Sequence, residues 1–182
     1  GTNGEGVFRS TDDGGSWSKV SLGFANSIVK SLTVNPSGDI FAGTDGGGIY
    51  RSTDDGGSWT QANSGLGQLS ITSFAVNAGG HMFAGTKSGG IFRSTDNGGA
   101  WTAVNTGLTS MTLACLAVDA TGYLFAGTNG GVFRSTDNGG TWTAVNIGLA
   151  SPVGLALAVN PLGHVLAGIA RFGVFRSTDG GT

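Results

Sequence analysis

The apolar positions of this chain fall in short runs separated by polar, glycine-rich stretches. Between residues 28 and 66 the pattern predicts four strands. Ile28-Val-Lys-Ser-Leu-Thr-Val34 is β-branched and apolar on both faces, as expected of a strand enclosed by neighbours. Asn35-Pro-Ser-Gly38 has turn composition. Ile40-Phe-Ala-Gly-Thr44 is the second strand, and its Ala-Gly pair fits a close backbone approach. Asp45-Gly-Gly-Gly48 turns into a third, Ile49–Ser52, and Asp54-Asp-Gly-Gly57 into a fourth, Trp59–Ala62. Asn63-Ser-Gly-Leu66 then crosses onward. Helix is not expected, because glycine or proline interrupts every window long enough for one.

The unit recurs. Phe74-Ala-Val-Asn77 precedes Met82-Phe-Ala-Gly-Thr86, Leu116-Ala-Val-Asp119 precedes Leu124-Phe-Ala-Gly-Thr128, and Leu157-Ala-Val-Asn160 precedes Val165-Leu-Ala-Gly168. Arg9, Arg51, Arg93, Arg134 and Arg176 stand 42, 42, 41 and 42 residues apart. A period of that length with about four short strands marks the blades of a β-propeller. The predicted fold is therefore all-β, a propeller of four-stranded antiparallel blades. With strands named A to D from the inside outward, residues 1–23 form a C-D hairpin. Residues 24–65, 66–107 and 108–148 form whole blades, and 149–182 supply A, B and C. Both ends fall within a hairpin, which predicts a segment of a longer array; a permuted four-bladed ring is the alternative.

Composition narrows the partners. Glycine is extreme, at 36 residues, but it recurs at fixed repeat positions and so reads as turns, not disorder. Charged residues make up 11%, the formal net charge is −2, and nine dispersed Lys and Arg offer no basic face for nucleic acid. No apolar run approaches the ~20 residues of a membrane-spanning helix. No signal-peptide pattern opens the chain, and Gly1 in first place fits a processed or truncated start. The lone Cys115 excludes an intramolecular disulfide. It shares its slot with Ser31, Ser73 and Ala156, and reads as a small buried residue.

The most repeated words are Arg134-Ser-Thr-Asp-Asn-Gly-Gly-Thr-Trp142 and their copies. Ser10, Asp12, Gly14 and Trp17 match them, as do Ser52, Asp54, Gly56 and Trp59, and Ser135, Asp137, Gly139 and Trp142. Ser94, Asp96, Gly98 and Trp101 form a copy that departs at Ala100, where Ser or Thr is usual. Ser177, Asp179 and Gly181 form one without its tryptophan. The aspartate can accept from following backbone N–H groups, the glycine tolerates positive φ, and the indole offers a large apolar surface at the blade's outer edge. A calcium loop would need oxygen ligands over about twelve residues, longer than this turn. The repeated arginines read as ion pairs or stacking within the hairpin.

This S-x-D-x-G-x-[S/T]-W pattern resembles the Asp-box, or BNR repeat, over the whole chain. The resemblance implies a propeller of the sialidase, sortilin and xyloglucanase type, with the boxes away from the ligand-binding face. It is nearest in kind to non-enzymatic bacterial repeat propellers. The acids for glycoside hydrolysis are missing: Glu5 is the only glutamate, and every aspartate except Asp39, Asp45 and Asp119 sits in a box turn. Asp39, in a slot shared with His81, Tyr123 and His164, and Asp119 both read as turn formers. Tyr50 stands in a phenylalanine slot and reads as packing. His81 and His164 lie two blades apart, without a third ligand, and read as exposed turn residues. No catalytic residue, metal or cofactor is expected.

Variation concentrates in the B-C loops and the D-A crossings, which share the face opposite the boxes. The binding candidates are Asp45, Lys87, Asn129, Arg171 and Phe172, with the crossings Gln68-Leu69, Thr109-Ser110-Met111 and Ala150-Ser151-Pro152 around them. The expected function is a non-catalytic extracellular or cell-surface scaffold of bacterial type, binding a protein or a glycan or serving as surface structure. The alternatives are a segment of an Asp-box glycoside hydrolase whose catalytic residues lie elsewhere, and a unit that self-assembles through open blade edges.

Overall fold

The computed structural model describes residues 1–21, 23–24, 28–149 and 155–181. Among them every regular element is a strand. A two-stranded hairpin, β1 (Phe8–Arg9) and β2 (Ser18–Lys19), comes first. Three four-stranded sheets follow. They are β3 (Val29–Val34) to β6 (Thr60–Gln61) through β4 (Ile40–Thr44) and β5 (Ile49–Ser52); β7 (Ile71–Val76), β8 (Met82–Thr86), β9 (Ile91–Ser94) and β10 (Thr102–Ala103); and β11 (Leu113–Val118), β12 (Leu124–Thr128), β13 (Gly131–Ser135) and β14 (Thr143–Ala144). A three-stranded sheet, β15 (Leu155–Val159), β16 (Val165–Ile169) and β17 (Gly173–Ser177), ends the described chain. Within each sheet the strands pair antiparallel in chain order. The first strands of successive sheets adjoin, β3 beside β7, β7 beside β11 and β11 beside β15, so these are the innermost. This is a run of propeller blades.

The core lies between blades. The second strands β8 and β12 are buried along their length, and Phe41, Ile49, Ile71, Met82, Phe92 and Trp101 form one cluster spanning two sheets. Gly43 explains the small pair predicted in these strands: a Cβ there would lie 2.6 Å from Ile71 Cγ2 of the next blade and 2.6 Å from Ser31 Oγ. Only glycine lets the two blades approach so closely.

The innermost strands differ from expectation. Leu32 and Val34 are 41% and 58% exposed, because alternate side chains of β3 face out of the sheet where no further layer covers them. Each of β3, β7 and β11 also carries a bulge, between Val29 and Ser31, Ile71 and Ser73, and Leu113 and Cys115. Lys30, Thr72 and Ala114 are the extra residues; β15 pairs Leu155 and Ala156 in succession without one.

Candidate functional site

The two ends of the blades are built for different work. At the A-B and C-D turns, most polar side chains with described partners are tied into the fold. Ser135 Oγ donates to Asp137 Oδ1 (2.8 Å) and accepts from the Gly139 N–H (2.8 Å). Asp137 Oδ1 accepts from the Thr141 N–H (2.8 Å), and Oδ2 from the Thr141 hydroxyl (2.7 Å). The same set recurs around Asp12 and Asp54. Hydrogen bonds to the charged form favour it. Led by the Ser16 hydroxyl, the Ser58 hydroxyl and the Thr141 N–H, they hold the carboxyls of Asp12, Asp54 and Asp137 down to about 2. Asp96 is lowered chiefly by the Ala100 N–H, with no hydroxyl at that position to help. The residue after each of these aspartates adopts positive φ without being glycine: Asp13 at 54°, Asp55 at 56°, Asn97 at 60° and Asn138 at 57°. Asp and Asn are the side chains that bear this best.

The tryptophans join blades instead of lying on an outer edge. Trp59 Nε1 donates to Val20 O (2.6 Å), Trp101 to Ala62 O (3.0 Å) and Trp142 to Val104 O (2.8 Å), each a carbonyl of the preceding blade. These three are buried, whereas Trp17 in the first hairpin is 62% exposed. The arginines reach the other way. Arg9 Nη1 donates to Asp55 O (2.6 Å), Arg93 to Asn138 O (3.0 Å) and Arg134 to Gly180 O (3.0 Å), in the turn of the next blade. Among the described residues, an arginine ion pair within the blade, as expected from the sequence, occurs at Arg51, which meets Asp39 at 2.7 Å and lies 5.9 Å from the Phe41 ring centre.

Asp39 is thus an inter-blade clamp and not the turn former expected. Asn35 Oδ1 closes that turn by accepting from the Asp39 N–H (2.8 Å), and Asp39 Oδ2 also accepts from Asn97 Nδ2 of the next blade (2.7 Å). Burial would raise the Asp39 carboxyl, but Asn97 and Arg51 outweigh it and keep it below its ordinary value. Asp119 does form its turn, accepting from the Thr121 and Tyr123 N–H groups. His81 and His164 are half-buried, not exposed. Asn160 Nδ2 lies 3.4 Å from His164 Nδ1, whereas the matching Asn77 amide donates to Asn138 Oδ1 (2.9 Å) and leaves the buried His81 Nδ1 without a partner. Tyr50 is core, stacked on Phe24 at 4.5 Å. Cys115 is half-buried, and burial pushes its thiol up to about 11, far from a reactive thiolate. Among the described residues no three His, Cys, Asp or Glu side chains gather as a metal site.

At the opposite end, formed by the B-C loops and D-A crossings, polar groups converge on an open space. A cleft of about 330 Å³ is lined by Lys30, Asp45, Ser70, Ile71, Thr72 and Lys87. Its walls are fixed by backbone hydrogen bonds: Asp45 N–H to Ile28 O (3.0 Å), Gly46 N–H to Leu69 O (3.1 Å) and Lys87 N–H to Ser70 O (3.0 Å). Ser70 Oγ donates to Asp45 Oδ1 (2.9 Å), and Lys30 Nζ stands 4.0 Å from Asp45 Oδ2. The bulges at Lys30 and Thr72 deliver those residues to the cleft, as bulges re-aim side chains.

Of the loop candidates, Asp45 and Lys87 therefore meet. Asn129 sits one blade further on, its N–H donating to Thr112 O (3.2 Å). Arg171 (φ 69°) and the exposed Phe172 occupy the β16–β17 turn, so neither lines the cleft. Residues 150–152, also named as a candidate crossing, and Thr182 lie outside the described residues. The sequence reading missed Lys30, Ser70 and Thr72. The available signal was Lys30, a charge in an otherwise uncharged stretch from Ile28 to Val34.

None of the curated proteins matches the chain's sequence. Among solved structures, the fold is shared with PorZ, described as an essential bacterial surface component of the type-IX secretion system of Porphyromonas gingivalis: TM-score 0.77, 17% identity, 98% of this chain and 30% of that one. The extracellular domain of BT4673 from B. thetaiotaomicron gives 0.77 and 17%, over 96% of this chain and 27% of that one. An ancestral GH74 enzyme gives 0.73 and 24%, over 97% and 27%. The chain thus spans less than a third of each of these proteins. The model of the DUF6242 beta propeller domain matches residues 1–113 and 55–155, and the chain belongs to that family.

Proposed function

We propose that this Asp-box propeller is a non-catalytic binding scaffold, working outside the cell or at its surface, whose ligand is a protein or a glycan held on the loop face. The observation that carries this reading is the gathering of Lys30, Asp45, Ser70 and Lys87 around one cleft on the loop face. Box-end carboxylates and arginines are tied into turns and blade contacts. The loop end presents a cleft with rigid walls and unlike charges. Asp45 is the only carboxylate lining that cleft, short of the pair that glycoside hydrolysis uses. PorZ and BT4673 support the extracellular placement.

The test is a binding screen of the chain against glycans and peptides, repeated on Asp45→Ala and Lys87→Ala. Ligands whose binding is lost in both variants bear the reading out. Release of reducing sugar from a bound glycan would favour the hydrolase alternative, with which the GH74 neighbour agrees in fold.

A further inference from the structure

Five of the nine Lys and Arg residues are the repeated arginines, leaving Lys19, Lys30, Lys87 and Arg171. Two of those four line a single cleft. The chain as a whole is negative, at −2, yet Lys30, Lys87 and Asp45 give this cleft a formal charge of +1. Among the described residues the Lys87 ammonium pairs with no carboxylate, and Lys30 reaches Asp45 only at 4.0 Å. Two ammonium groups lining one space offer an anion two cationic partners at once. Asp45 is already oriented by the Ser70 hydroxyl (2.9 Å), so it supplies only part of that anion.

We propose that the cleft binds a uronic-acid sugar of an acidic glycan, with the carboxylate between Lys30 and Lys87. This rests on the binding reading above. The remaining groups choose sugar over peptide. Asp45 accepts from ring hydroxyls, and Ser70 and Thr72 offer further hydroxyl partners. The only apolar residue in the lining, Ile71, is wholly buried and offers no pocket for an anchoring peptide side chain. About 330 Å³ lies at the small end of ligand sites and suits one or two sugar rings. Because the ammonium groups are partly exposed, the attraction is screened by salt.

The probe is a trimer of α-1,4-linked galacturonate, titrated calorimetrically beside the same trimer with its carboxyls methyl-esterified. The acid is expected to bind at least about tenfold more tightly than the ester, and less tightly as salt rises. Lys87→Gln brings the acid to the level of the ester while leaving the thermal midpoint unchanged, since Lys87 is exposed. Equal binding of acid and ester, or binding of neither, overturns the proposal. If the trimer fails but an acidic hexapeptide binds and is lost in Lys87→Gln, the sugar assignment falls and the scaffold reading stands. If no probe binds in a way that Asp45 or Lys87 controls, both fall.

Discussion

At the scale of single residues, the box aspartates behave as fixed charges of the turn. Their folded carboxyls sit at about 2 for Asp12, Asp54 and Asp137, against 3.8 for the free group. The unfolded chain therefore takes up protons first as pH falls. Their contribution to stability is complete above about pH 5 and is lost as pH drops toward 2. Thermal midpoints measured from pH 7 to 2 are expected to stay level and then fall in that window; a decline beginning near neutrality would contradict this. Asp96 provides an internal comparison, because Ala100 gives it only an N–H. Ala100→Ser is expected to lower the Asp96 carboxyl to the value of its three counterparts and raise the midpoint slightly, read by carbon-detected titration of the side chain. The turn chemistry was legible because Ser, Asp and Gly at fixed spacing have one local use. The partners of Asp39 were not, since Asn97 lies 58 residues away and nothing local marks it.

At the scale of the element, the strands and hairpins followed from short apolar runs and turn residues, and the bulges did not. A bulge adds one residue without changing apolar composition, so β3, β7 and β11 read as plain strands, and Lys30 and Thr72 were assigned to no site. The same limit applies to the tryptophans. Sequence showed a large side chain after each turn but not the neighbour it meets, which is the preceding blade. Trp101 is 3% exposed and packs in the cluster shared by two sheets. Trp101→Ala should cost about 3–5 kcal/mol, measured by denaturant unfolding, as expected for a large buried aromatic. Trp17→Ala, at 62% exposure, should cost far less in the monomer.

Over the whole molecule, Arg9, Arg93 and Arg134 reach forward and Trp59, Trp101 and Trp142 reach back, so these ties run between adjacent blades, while Arg51 meets Asp39 in its own blade. Repetition made this architecture readable, while the cleft depended on residues that do not repeat. Stability in such arrays is close to a sum over neighbouring contacts. The contacts nonetheless differ in how they age. Asn97 and Asn138 each precede a glycine in a strained turn, the setting in which asparagine converts to aspartate over time. At Asn138 the change is tolerable, because only its side-chain oxygen is used, accepting from Asn77 Nδ2. At Asn97 it would replace the donor to Asp39 with a second carboxylate. Asn97→Asp should lower the thermal midpoint and Asn138→Asp leave it nearly unchanged; equal effects would refute the distinction. The interface between the β3–β6 and β7–β10 sheets, both of which line the cleft, is thus where this protein would keep time.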